Sequence, residues 1–246
     1  SRNDCPPITP AAITPTPSPP SGKGSTGGGT NHSPIRIPQC YNCLVPKPEI
    51  NNQRFPLPEL PEVETMVRRL RQPLIGRTIT SVTYDWPRTI GRPAPKEFRR
   101  RVAGLTFQSI DRRAKYLVFT LGQADTLSFI LIHLKMSGRL NIVLKAEPIS
   151  KHDRVIFDLD NGLQLRFNDV RKFGRVYLVA DPAEITGKHG PEPLDPSFTL
   201  KKFREMIQSR SGIIKPLLLN QNFLAGVGNI YADESLWLSR IHPLRK

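Results

Sequence analysis

A chain of 246 residues with 38% hydrophobic content has material for one or two domains and a modest core. Its 36 Lys and Arg against 21 Asp and Glu leave a net charge of +15, which points to a polyanionic partner, nucleic acid above all. No apolar run approaches the ~20 residues that span a bilayer, and no apolar signal core is present, so membrane insertion and secretion are not expected.

Residues 1–57 hold 12 of the 25 prolines and the stretch "PTPSPPSGKGSTGGGTNHS". Such a composition buries too little apolar surface to offset chain entropy, so this segment reads as a disordered extension. All three cysteines, Cys5, Cys40 and Cys43, lie in it. Cys40 and Cys43 form a lone CxxC, read either as free thiols or as half of a zinc site whose second pair does not occur. From residue 58 onward there are 31 Lys and Arg against 19 acids, so +12 of the charge belongs to the body.

The first body element is a helix over 59–76. Pro61 suits the first turn, Glu62 and Glu64 favour the positive helix end, and Val63, Val67, Leu70 and Leu74 share a face. Eight strand patterns follow, "TITSVTYD", "LTFQSI", "KYLVFTL", "TLSFILIHL", "LNIVL", "RVIFDL", "LQLRF" and "RVYLVA". Asp160-Asn161-Gly162 between two of them is a hairpin signal. After Ala180 the pattern changes to a Pro/Gly-rich connection and then to helices at "FTLKKFREMIQ", "IIKPLLLNQ" and "ADESLWLSRI". Strands followed by helices predict an α+β chain, a β-sandwich or barrel succeeded by a helical unit.

Four places carry residues suited to chemistry or binding. Lys115 stands at a strand start, either a solvated end or a desolvated amine. His133 and Met136 follow a strand in "HLKMSGRL", where the methionine either fills core or projects. "NDVRKFGRV" interleaves cations with one aromatic, a pattern for phosphate contact and base wedging or for an ordinary solvated loop. "GVGNIYADE" places two glycines and Asn229 before a helix, a plain helix start or a phosphate-binding one. No Ser-His-Asp set, Walker loop or HExxH occurs.

Taken together, "PELPEVET" (58–65), "RRAKYL" (112–117), "IHLKMSGRL" (132–140), "KHD" (151–153), "DVRKFG" (169–174), "GPEPL" (190–194) and "AGVGNIYADESLW…IHP" (225–243) resemble the bacterial formamidopyrimidine-DNA glycosylase family. The resemblance covers essentially all of 58–246. It implies an N-terminal helix and catalytic β-sandwich over 58–180, a linker at 181–196, and a helix-two-turn-helix DNA-binding domain, incomplete here, over 197–246. The implied activity is removal of oxidised purines from double-stranded DNA, followed by cleavage of the abasic site through a Schiff base. In that scheme a terminal Pro58 amine is the nucleophile, Glu59 the proton donor, Glu62 a supporting acid and Lys115 an acid catalyst around the elimination steps. Met136, Arg171 and Phe173 would fill the gap left by the flipped nucleotide, with Arg171 reading the orphaned base. His152, Lys215 and Asn229 would contact phosphates. The family's cation four residues before Lys215 is Ser211 here, with Arg210 as its neighbour and stand-in. The family's four-cysteine zinc finger and its arginine do not occur in this sequence, so no cofactor is expected for this chain. A monomer in the bacterial cytoplasm, at the nucleoid, completes the implication.

Two competing readings remain at this stage. One is the oxidised-pyrimidine branch, which has "PEGPE" where this chain has "PELPE". The other is a non-catalytic damaged-DNA binder, because Pro58 is amide-bonded to Leu57 and an amide nitrogen is no nucleophile. Residues 1–57 are accordingly expected to be absent from the active protein, through a downstream start or by removal.

Overall fold

A computed structural model describes residues 57–123 and 126–246. The low-complexity stretch and Cys5, Cys40 and Cys43 lie outside the described residues. The first helix, α1 (Leu60–Leu74), has Glu59 as N-cap, Pro61 in its first turn and Arg71 in its last. Leu60, Val63, Val67, Leu70 and Leu74 are its buried face. Each such side chain contributes roughly 1.5–3 kcal/mol by leaving water.

Nine strands follow, interrupted by one short helix: β1 (Ile79–Tyr84), β2 (Ile90–Arg92), α2 (Pro95–Val102), β3 (Thr106–Arg113), β4 (Tyr116–Gln123), β5 (Thr126–His133), β6 (Arg139–Leu144), β7 (Asp153–Leu159), β8 (Leu163–Asn168) and β9 (Arg175–Val179). They form two sheets, ordered β1-β7-β8-β6 and β2-β9-β5-β4-β3. Every pairing is antiparallel except β2 with β9. The inner faces meet in one core that includes Phe107, Phe119, Phe157 and Phe167, and the apolar face of α1 joins it. The expected sandwich with an N-terminal helix is therefore the architecture.

Two elements of the sandwich had no strong signal in the sequence. Helix α2 is eight residues long and buries only Phe98 and Val102, too short a stripe for periodicity to reveal. Strand β2 has three residues and owes its place to β9, a distant partner.

Beyond the sandwich come α3 (Ala183–Thr186), α4 (Leu200–Gln208), α5 (Ile214–Leu219) and α6 (Asn229–Leu238). Leu218, Phe223, Leu224, Ala232 and Leu236 form the core of this helical part. The α6 helix starts three residues earlier than "ADESLWLSRI" implies, with Gly228 as N-cap. The connection from β9 is tied down by Gly190 N–H to Gln221 O (2.9 Å) and Ala225 N–H to Pro191 O (2.9 Å). No helix among the described residues is long and apolar enough to cross a membrane.

Candidate active site and nucleic-acid interface

The segment Pro58–Leu60 is docked against residues 226–231. Glu59 is 3% exposed, and its carboxylate accepts from the N–H groups of Gly228 (2.7 Å), Ile230 (2.9 Å) and Tyr231 (3.4 Å). A carboxylate at those amides caps α6 and neutralises its positive end. Leu60 N–H donates to Gly226 O at 3.2 Å. Glu62 accepts from the Glu59 N–H at 3.0 Å and from the Tyr231 hydroxyl at 2.8 Å. Burial, with that bond to a carboxylate, pushes the Tyr231 phenol up to about 12, so it remains a donor. Pro58 is itself buried.

Lys115 reaches this acid pair from the two-residue turn between β3 and β4. Ala114 sits there at φ 53°, an uncommon conformation for a residue with a Cβ. Glu192 holds the turn: it accepts from Ala114 N–H at 2.7 Å, from Arg113 at 3.1 Å, and from Arg112. Arg112 also pairs with Glu64 of α1 at 3.0 Å. Burial lowers the Lys115 amine pKa, Lys135 adds to this, and the charges of Glu59 and Glu62 oppose it. Lys115 is thus a partly buried amine facing two acids, not a solvated strand end. Gly228 shows how close the cluster is, since a Cβ there would strike both the Glu59 carboxyl and Lys115 Nζ.

His133, singled out in the sequence without a stated partner, lies near Lys115, Lys135 and His189. The β4–β5 register sets it opposite Tyr116, with ring centres 4.6 Å apart. Burial, then Lys135, Lys115 and His189, push its pKa down to about 3, so it is neutral at pH 7. Its Nδ1 accepts from Lys135 N–H at 3.0 Å, which leaves the proton on Nε2.

A second group surrounds Asp169, which is 1% exposed. Its carboxylate accepts from Ser137 Oγ, from Arg171 N–H (3.2 Å) and from Gly174 N–H (2.7 Å). One buried acid therefore anchors both the loop carrying Met136 and the loop carrying Arg171 and Phe173. Gly174 allows the close approach of Phe167, whose ring a Cβ would hit. The tips point outward: Met136 is 38% and Phe173 47% exposed, so neither fills the core. The Arg171 guanidinium lies 5.1 Å from the Phe173 ring centre. Lys172, at φ 60°, sets its ammonium 4.3 Å over the Trp86 ring.

The expected phosphate contacts are dispersed. His152 lies against Arg154, Nδ1 to Nη2 at 3.2 Å. Lys215 of α5 is paired with Asp233 of α6 at 2.7 Å. Asn229 is exposed at the first residue of α6, and Arg210 is exposed beyond the end of α4. Of the two readings of the start of α6, the amides of Gly228, Ile230 and Tyr231 fit the plain helix start, because the Glu59 carboxylate already accepts from them. Among the described residues no group of three or more His, Cys, Asp or Glu could hold a metal.

Comparison with known proteins decides the family. The family models described as formamidopyrimidine-DNA glycosylase N-terminal domain and H2TH domain match residues 57–176 and 189–246. The chain belongs to the formamidopyrimidine-DNA glycosylase family. It is 48% identical over 189 residues to a formamidopyrimidine-DNA glycosylase of Protochlamydia amoebophila, covering 76% of this chain and 67% of that protein. Against the Herpetosiphon aurantiacus glycosylase it is 46% identical over 192 residues, 77% of this chain and 69% of that protein. Among solved structures, the Lactococcus lactis glycosylase bound to abasic-site DNA matches with a TM-score of 0.70 at 38% identity, over 76% of this chain and 69% of that one. The same Lactococcus lactis enzyme bound to FAPY-dG DNA matches at TM-score 0.70 and 38% identity, over 76% and 71%.

Proposed function

We propose that this protein is a base-excision repair enzyme. It removes oxidised purines, 8-oxoguanine and formamidopyrimidines, from duplex DNA and cleaves the abasic site by β/δ-elimination. The observation that carries the reading is the convergence of Glu59 and Lys115 over Gly228, one residue from Pro58. A terminal Pro58 is a secondary amine with a pKa near about 8, which leaves a neutral fraction at pH 7. The damaged nucleotide is flipped from the stack, because C1′ cannot be reached inside it. The Pro58 nitrogen bonds to C1′ as the glycosidic bond breaks; the proton that the amine sheds passes to the Glu59 carboxylate, which delivers it to the departing base. The sugar ring opens to an iminium on the proline nitrogen, and loss of a C2′ proton then expels the 3′ phosphate. Glu62 braces Glu59, and Lys115 serves as acid around the elimination steps.

In this reading Met136 and Phe173 wedge into the gap, Arg171 pairs with the orphaned cytosine, and His152, Arg210, Lys215 and Asn229 meet phosphates. The working parts are a catalytic sandwich at 58–180, a linker at 181–196 and the helix-two-turn-helix part at 197–246. The enzyme acts as a monomer in the bacterial cytoplasm.

A second reading, a binder that recognises damage without turnover, is favoured by one observation: Pro58 is joined to Leu57 through a tertiary amide. Borohydride trapping on 8-oxoguanine duplex separates the two. Residues 58–246 with a free N-terminus should leave a reduced covalent adduct, and 1–246 should not. No adduct from 58–246 establishes the binder. Equal adducts from both chains make another amine the nucleophile, Lys115 first.

A further inference from the structure

Arg154 carries no role in the site described so far, yet its guanidinium bonds residues of three separate loops. It is the second residue of β7 and is 3% exposed. Its Nε donates to the backbone O of Asp169 at 2.8 Å, at the root of the loop that carries Arg171 and Phe173. Nη1 donates to the Asp85 carboxylate at 2.5 Å and to Lys151 O at 3.0 Å. Nη2 faces His152 Nδ1 at 3.2 Å. A guanidinium can only donate, so His152 accepts at Nδ1, and the neutral ring carries its proton on Nε2. The backbone repeats these links, with Asp169 N–H to His152 O at 2.9 Å and Asp85 N–H to Arg154 O at 3.3 Å. Trp86, next to Asp85, closes the circuit by lying under the Lys172 ammonium.

We propose that Arg154 is a positioning residue for lesion recognition: its buried guanidinium sets three loops, 85–89, 151–152 and 169–174, at one mutual spacing and aims the His152 Nε2–H outward. This rests on the function proposed above. The planar fork is what the task demands. Three acceptors from separate loops are met at fixed angles, which a lysine ammonium cannot do while spanning the same distances. Positioning groups of this kind act through distance, because small misplacements of contact groups are costly.

The test uses the full chain, so it does not depend on the Pro58 amine. Binding is measured by anisotropy on a duplex with a tetrahydrofuran abasic analogue opposite dC and on its undamaged equivalent. Amide exchange is followed in parallel. Wild type should prefer the lesion duplex. Arg154→Met should lose about tenfold on that duplex, equal to about 1.4 kcal/mol. Arg154→Lys, which keeps the charge, should not restore the loss. Amides should exchange faster in all three loops, with β4 and β5 unchanged. Asp85→Asn removes one leg at a half-exposed carboxylate and should give a smaller loss in the same direction; it decides the matter if Arg154→Met fails to fold. Unchanged lesion binding in a folded Arg154→Met, recovery by lysine, or faster exchange only at 151–152 overturns the proposal. If wild type shows no lesion preference, the functional reading fails instead, and exchange in the three loops still judges Arg154.

Discussion

The acid–amine cluster and the wedge loops are built on opposite plans. Around Glu59, Glu62 and Lys115 the functional groups themselves are buried or half-buried, and the two acids are bonded: Glu59 accepts three amides, and Glu62 accepts an amide and a phenol. Around Asp169 only the roots are buried, and the groups that matter, Met136, Arg171 and Phe173, project from them. Chemistry at a sugar carbon needs fixed pKa values and fixed distances, which burial supplies. Entry into a base stack needs apolar groups that meet no protein beforehand, so rigidity must come from below. Substitutions should therefore couple stability to activity at the first region and separate them at the second.

The largest expected effect lies at Gly228. Replacement by Ala forces its Cβ into the Glu59 carboxyl and Lys115 Nζ. Single-turnover strand cleavage by free-N-terminus 58–246 should fall by about 100-fold or more. Stability should fall as well, by roughly 1–3 kcal/mol in urea titration, from overpacking. Normal cleavage by the alanine variant would show that the cluster tolerates separation.

Two phenylalanines sharpen the contrast further. Phe167 is fully buried and Phe173 is 47% exposed. Phe167→Ala should cost about 3–5 kcal/mol. Phe173→Ala should stay within about 0.5 kcal/mol of wild type while lowering excision of 8-oxoguanine at least tenfold. A core-sized stability loss at Phe173 would contradict the division between tips and roots.

A smaller effect separates charge from chemistry. Binding to duplex should weaken steeply with salt, and Lys215→Ala should lower the log–log slope by about 0.9, one phosphate's share. Its pair with Asp233 is partly exposed, so melting should barely change. An unaltered slope would remove Lys215 from the interface.

The smallest effect concerns acid. His133 has its folded pKa pushed from 6.5 down to about 3, so between these values the unfolded chain binds a proton that the folded one refuses. Stability from this group is complete above about pH 6.5 and is lost as pH falls toward 3. His133→Gln should flatten the decline of Tm over that window. An equal decline in both proteins would assign the acid sensitivity to other groups.

Much of this molecule was legible from local pattern. Alternating β-branched and aromatic residues announced the strands, and Pro61, Glu62 and the stripe from Val63 to Leu74 announced α1. The motif residues pointed to Glu59, Lys115, Met136 and Phe173 through resemblance. Not legible were α2 and β2, each too short to carry a period, and His133, whose strand position hid its neighbours.

Periodicity states which face of an element is buried, never which partner covers it. The sequence alone therefore determined the strand-then-helix order, the basic body and the helix that starts at the Pro58–Glu59 motif. Tertiary structure decided the rest. It sent the Glu59 carboxylate to amides some 170 positions away, where it caps α6. It half-buried Lys115 by pinning its turn with Glu192, left Phe173 outside and Phe167 inside, and gathered three loops on Arg154. Such outcomes depend on groups distant along the chain meeting at hydrogen-bond range, and only the folded packing brings them there.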